Sequence, residues 1–248
     1  MKDSRNSSIE FNEILIRRIV YSINKAITED VLSERRLETN NRCRFAPGDY
    51  INENLRHHVV NDDIYLIPFN RFVFEGRILV DKINKITYTI TTLSTLAAGP
   101  KKHGRKPYYM QSILCMENGE CEGSPKQMTL ADYAESMGLV PFTDDDFEND
   151  FDDIMQGIIS KNDGYRHYII AYSVENKEIK EIKLLYLDKD FAEVDSADLK
   201  EYVTPDFVAL TNSNYVDENT HDEEENRGKP FKLRPGVKFP LRAKEEEV

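Results

Sequence analysis

Apolar residues recur at helical spacing over residues 9–30, where Leu15, Ile19 and Ile23 fall at i, i+4 and i+8 with Phe11, Ile16, Val20 and Ile27 beside them. A stripe that broad predicts an amphipathic helix lying on a core. The polar stretch 31–48 ends in Pro47–Gly48 and reads as a loop, after which Asp49 caps a short helix over 50–59.

The period then changes from helical to alternating. Residues 64–68 predict a short strand, and residues 71–82 and 86–92 predict a hairpin turning near Asn84–Lys85. In the second of these strands Ile86, Tyr88 and Ile90 share one side and Thr87, Thr89 and Thr91 the other. That alternation predicts a sheet with one buried face. Residues 108–116 read as a further strand, closed by the turn dipeptide Asn118–Gly119. Thr129 opens a short helix over 130–137, and an acidic helix over 144–159 places Phe147, Phe151, Ile154 and Ile158 on one side. A second hairpin pairs 166–174 with 179–187, with Tyr168, Ile170, Tyr172 and Val174 on one face, and Ser196 caps a last helix near 197–203. No repeat of the kind that builds solenoids is present.

These elements predict an α+β fold: a largely antiparallel sheet built on two β-hairpins, packed by an N-terminal helix and several short helices. Residues 1–204 form one domain, with a sub-boundary near 125–145 if it divides. Residues 205–248 are expected to be an acidic linker followed by an extended basic and apolar tail.

Composition sharpens this. Three cysteines, Cys43, Cys115 and Cys121, do not make a disulfide framework, and no apolar run reaches the length of a signal peptide or a membrane span. A reduced, cytoplasmic protein with no membrane contact is expected. The abundance of Asn, Lys, Ile and Asp points to an A+T-rich bacterial or phage genome. The charge is uneven: residues 1–127 hold 19 Lys/Arg against 16 Asp/Glu, a net of +3, and residues 128–248 hold 14 against 29, a net of −15.

The candidate chemistry is sparse. His57, His58, His103, His167 and His221 form no ligand pair at a familiar zinc spacing, and no phosphate-binding glycine loop or nucleophile elbow occurs. No cofactor and no metal are expected. Glu75 and Asp81 lie on one strand face near basic residues, and with Asp62 they are the carboxylates a metal-dependent nuclease would need. Their spacing argues against it, because six residues of strand cover about 20 Å. The basic loop Lys101, Lys102, His103, Arg105 and Lys106 runs into Tyr108 and Tyr109. Cations beside aromatics suit phosphate neutralisation and base stacking. The run Asp144, Asp145, Asp146 sits at a predicted helix start, where the macrodipole favours anions, and with the rest of that acidic helix it offers an anionic face that would dock a protein partner, mimic DNA or hold the chain's own basic tail. In the tail Phe231, Arg234 and Phe239 interleave cations with apolar groups between prolines, a pattern suited to docking in extended form.

The reading that follows is a non-enzymatic interaction or regulatory protein working through charged surfaces, in a defence, counter-defence or toxin–antitoxin setting. It would bind a protein partner or associate with itself. The alternative is an enzyme acting on nucleic acid, such as a divergent metal-dependent nuclease.

Overall fold

The computed structural model of the chain describes residues 9–31, 46–71, 74–99, 106–121 and 142–203. All of them fall in one compact unit, Met1–Leu210. The predicted helix over 130–137 and the tail residues Phe231, Arg234 and Phe239 lie outside the described residues.

Helix α1, Glu13–Lys25, starts at Asn12, whose side-chain oxygen accepts the Leu15 N–H at 3.2 Å. Glu13 adds an anion at the positive end of the helix. A π-helical turn, Ala26–Asp30, prolongs it. Helix α2, Ala46–His58, begins earlier than Asp49 predicts and ties to α1 through Asn54, whose amide donates to the Ser22 carbonyl at 3.3 Å and to Asp30 at 2.7 Å.

Among the described residues six strands form one sheet: β1 Ile64–Arg71, β2 Phe74–Asp81, β3 Ile86–Thr92, β4 Arg166–Glu175, β5 Glu178–Leu187 and β6 Glu193–Asp198. Their spatial order is their chain order. Every neighbouring pair is antiparallel except β3 and β4, which run parallel with Thr87 beside His167. A parallel pair needs a long crossover. Here residues 93–165 provide it, carrying helices α3 Leu93–Ala98, α4 Tyr109–Glu117 and α5 Asp144–Met155.

The crossover fixes the layers. Leu79, Tyr88, Ile170, Ile182 and Leu184 pack under α1 and α2. On the opposite side Ile78 and Val80 pack with Ile113, Phe151 and Ile154, and Ile169, Ala171 and Leu185 pack with Met110 and Leu114. The centre of the sheet is therefore covered on both faces. This corrects the expectation of a single buried face: Thr87, Thr89 and Thr91 are buried too, at 0%, 2% and 8% exposure.

Three further expectations change. Residues 108–116 are not a strand, because Met110, Ile113 and Leu114 bury at i, i+3 and i+4 on helix α4. A short apolar run is compatible with either period. Asn118–Gly119 ends that helix rather than turning a hairpin. A Cβ at Gly119 would stand 2.4 Å from the Cys115 carbonyl oxygen, so only glycine fits. Residues 193–198 form edge strand β6, with Leu184 opposite Ala197, so Ser196 caps no helix, and a 3₁₀ turn, Lys200–Val203, ends the described residues. Cross-strand pairing overrides the local capping signal there. Helix α5 stops at Met155 because Gln156 is left-handed at φ 54°, which leaves Ile158 exposed.

One buried ion pair joins the crossover to β1. The Asp150 carboxylate, 3% exposed, accepts from the Ser112 hydroxyl at 2.6 Å and from the Arg71 guanidinium. Its Oδ1 has no partner among the described residues. Removing one member strands a buried charge. Arg71→Met is expected to cost about 3–5 kcal/mol in urea unfolding, and Arg71→Met with Asp150→Leu to recover most of it.

Candidate functional site

β2 and β3 pair over three positions only: Leu79 with Tyr88, Val80 with Thr87 and Asp81 with Ile86. Beyond these β2 stays with β1 as far as Phe74, and β3 stays with β4 as far as Thr92. The sheet thus opens between its second and third strands. Asp81 fastens the closed end, accepting the Ile83 and Asn84 N–H groups at 3.1 and 3.0 Å and the Asn84 amide at 2.7 Å.

Aromatic rings flank the open end. The Phe69 ring lies over Gly76, where a Cβ would meet it at 2.3 Å, and sits 6.1 Å from Phe74 and 5.0 Å from Tyr109 between centroids. A cleft of about 510 Å³ follows, lined by Phe69, Phe74, Arg77, Tyr88, Thr89 and Tyr109 among others. A wider groove of about 720 Å³ shares Gly48, Phe74, Ile90, Tyr109 and Tyr172 with it, and continues to Val174 and Lys177. Phe74 and Val174 are 47% and 46% exposed, unusual for large apolar side chains beside a core. The Tyr88 hydroxyl is buried without a partner, and burial holds it well above the usual phenol range. Burial also pushes Tyr108 and Tyr172 up to about 12. All of these phenols are neutral at ordinary pH.

Behind the cleft wall lies a chain of buried polar side chains. Thr89 Oγ1 is 2.9 Å from His167 Nε2, and Thr87 Oγ1 is 2.7 Å from His167 Nδ1. The Thr87 hydroxyl also donates to Glu117 Oε2. The imidazole and the carboxylate do not bond directly, at 3.7 Å. The parallel register creates this chain: it sets Thr87 beside His167 and Thr89 beside Ile169, with the C-terminus of α4 above. Asn118 holds that helix end in place. Its amide donates to the carbonyls of His167 and Leu187 at 2.9 and 2.8 Å, and its oxygen accepts the His167 N–H at 2.9 Å. Burial holds the His167 imidazole down to about 3, so it is neutral. Burial pushes the Glu117 carboxyl up to about 8, against the opposing pull of the Thr87 hydroxyl.

The residues singled out from the sequence are dispersed. Glu75 is exposed at the cleft mouth and pairs with Arg77 at 2.6 Å. Asp81 is the buried turn clamp at the other end of β2, and Asp62 lies in the exposed turn before β1, where Lys82 Nζ donates to its carbonyl at 3.2 Å. Among the described residues no group of three or more His, Cys, Asp or Glu could hold a metal ion. Lys101, Lys102 and Arg105 lie outside the described residues. Lys106 pairs with Asp153 at 2.7 Å. Tyr108 and Tyr109 do come to the groove, from the start of α4 rather than from a strand. Asp144, Asp145 and Asp146 are exposed in the first turn of α5. Asp146 forms a capping box with Thr143, whose backbone N–H holds that carboxyl below its usual range.

Glu117, His167, Thr87 and Thr89 were not legible as a site. The only trace was the threonine alternation on β3, which reads equally well as a solvated face.

The fold and site define an α+β protein whose central feature is an aromatic-walled opening in a mixed sheet. The sequence profile described as "Family of unknown function (DUF5986)" matches residues 8–248, and the chain belongs to that family. No curated protein and no solved structure matches it. Among the described residues no helix is long and apolar enough to cross a membrane.

The two buried titratable groups act on stability in opposite senses. Between about pH 4.5 and 8 the folded chain keeps a Glu117 proton that the unfolded chain has lost, so rising pH removes stability there. Between about pH 3 and 6.5 the unfolded chain binds a His167 proton that the folded chain refuses, so rising pH adds stability. The two oppose where the windows overlap, and the Glu117 loss stands alone from about pH 6.5 to 8. The denaturation midpoint is expected to fall across that upper window, and Glu117→Gln to flatten it. Urea titrations at stepped pH measure both.

Proposed function

We propose that this is a non-enzymatic interaction protein that takes an extended segment of a protein partner into the opening between β2 and β3. The observation that carries the reading is the split itself. Among the described residues, Phe74–Ile78 of β2 and Thr89–Thr92 of β3 have no strand on the side facing the cleft. Free strand edges are what an added strand uses: main-chain hydrogen bonds supply affinity, and alternate side chains enter flanking pockets. The pockets are present as the aromatic cleft and the groove beyond it, both within the size range of ligand sites. Arg77 and Glu75 at one rim and Lys177 at the other give the opening charged edges that would fix the direction of the bound segment.

Both nitrogens of His167 are engaged by threonines, and the carboxylates weighed for metal chemistry lie apart.

Peptide display against the full chain tests the reading. Enriched peptides are expected to carry large apolar side chains at alternate positions. Phe74→Asp and Val174→Asp are each expected to weaken a selected peptide at least about tenfold, which corresponds to ~1.4 kcal/mol. No enrichment, together with binding to single-stranded DNA that falls steeply with salt, would instead favour the nucleic-acid alternative.

A further inference from the structure

We propose that Glu117, Thr87, His167 and Thr89 form a reversible proton wire, in which the proton on Glu117 sets the tautomer of His167 and so decides whether Thr89 donates or accepts a hydrogen bond at the cleft. Thr89 is the outer end because it lines the cleft, and Glu117 is the inner end, buried at the C-terminus of α4. The wire bears on the opening taken above as a binding site, and rests on that reading only for its effect on a bound segment.

Each hydroxyl in the chain has one hydrogen to give, and neutral His167 has one N–H and one acceptor nitrogen. These facts allow two ordered arrangements. With Glu117 protonated, its O–H donates to Thr87, Thr87 donates to His167 Nδ1, His167 Nε2–H donates to Thr89, and the Thr89 hydroxyl points outward as a donor. With Glu117 ionised, Thr87 donates to the carboxylate, His167 Nδ1–H donates to Thr87, Thr89 donates to Nε2, and Thr89 offers only lone pairs to the cleft.

The two states interconvert without stray charge. Glu117 gives its proton to Thr87, Thr87 gives its own to Nδ1, Nε2 gives its proton to Thr89, and Thr89 releases one to water or to a base in the cleft. One proton leaves Glu117, one appears at the cleft, and the imidazole stays neutral throughout.

The surroundings favour the reversal within a useful pH range. Glu117 Oε1 is buried with no partner, so the acid's proton is hydrogen-bonded only on Oε2, the oxygen facing Thr87. No Lys or Arg among the described residues pairs with Glu117. The titratable groups that face it are His167 of β4 and Tyr165 just before that strand, and Tyr165 also senses Asp81 across the sheet. Burial keeps the carboxyl near 8 and keeps the imidazole from charging, so the proton is carried by Glu117 and not by His167.

The test is nitrogen NMR of the full chain labelled at histidine, over about pH 6 to 10. The wild type is expected to pass from the Nε2–H to the Nδ1–H tautomer with a midpoint near 8, without forming imidazolium. Glu117→Gln is expected to hold one tautomer at every pH. Thr87→Val breaks the wire in its middle, and the tautomer should then no longer follow the Glu117 carboxyl, read by its carbon shift. A wild-type His167 that keeps one tautomer while Glu117 titrates overturns the proposal, as does an imidazolium at neutral pH. The measurement needs no ligand, so a failure of peptide binding and a failure of the wire are separate results.

Discussion

The parallel contact between β3 and β4 is the constraint on which the other features rest. Two antiparallel three-stranded meanders, β1–β3 and β4–β6, meet along this single seam. A parallel seam cannot be closed by a short turn, so the chain must carry a long crossover, and that crossover covers the second face of the sheet. The same seam brings threonines and a histidine side by side in the interior. It also leaves β2 bound mainly to β1, which is what allows the sheet to open beside β3.

The interior tolerates its polar groups by different means. Asp150 is answered by the Arg71 guanidinium and the Ser112 hydroxyl. Asp81 is answered by backbone N–H groups in a turn. Glu117 has no cation among the described residues and one hydroxyl, and takes the other route open to a buried acid, which is to hold its proton. Asn118 uses both ends of its amide on backbone groups and leaves nothing unsatisfied. Thus four buried polar residues near one sheet have four separate electrostatic solutions.

Much of the architecture was legible along the chain. The stripe of Leu15, Ile19 and Ile23 is buried as its spacing implies, and the hairpin of β4 and β5 turns at Asn176–Lys177 as its alternation implies. The errors came where local signals are degenerate. Tyr109–Glu117 is too short an apolar run to declare its period, and Ser196 caps a helix only if no neighbouring strand claims it first. The site was illegible for a different reason. Thr87 and His167 are eighty residues apart in sequence, and only the sense and register of β3 against β4 make them neighbours. No local pattern encodes that register, whereas a charged run announces itself: Asp144, Asp145 and Asp146 lie exposed in the first turn of α5.

The seam also bears on how the molecule is assembled. Each meander joins strands that are close in sequence, whereas β3 and β4 must find one another across the whole crossover. Contacts of such separation form late and slowly, because the loop entropy has to be met before the pairing rewards it. The hydrogen-bonded chain behind the cleft lies on that most non-local junction. A chain with both halves folded but the junction open would contain every strand and lack the connection between Glu117 and the cleft. The most non-local step in folding is therefore the one that completes the interior chemistry, and a partly folded molecule cannot imitate the finished one.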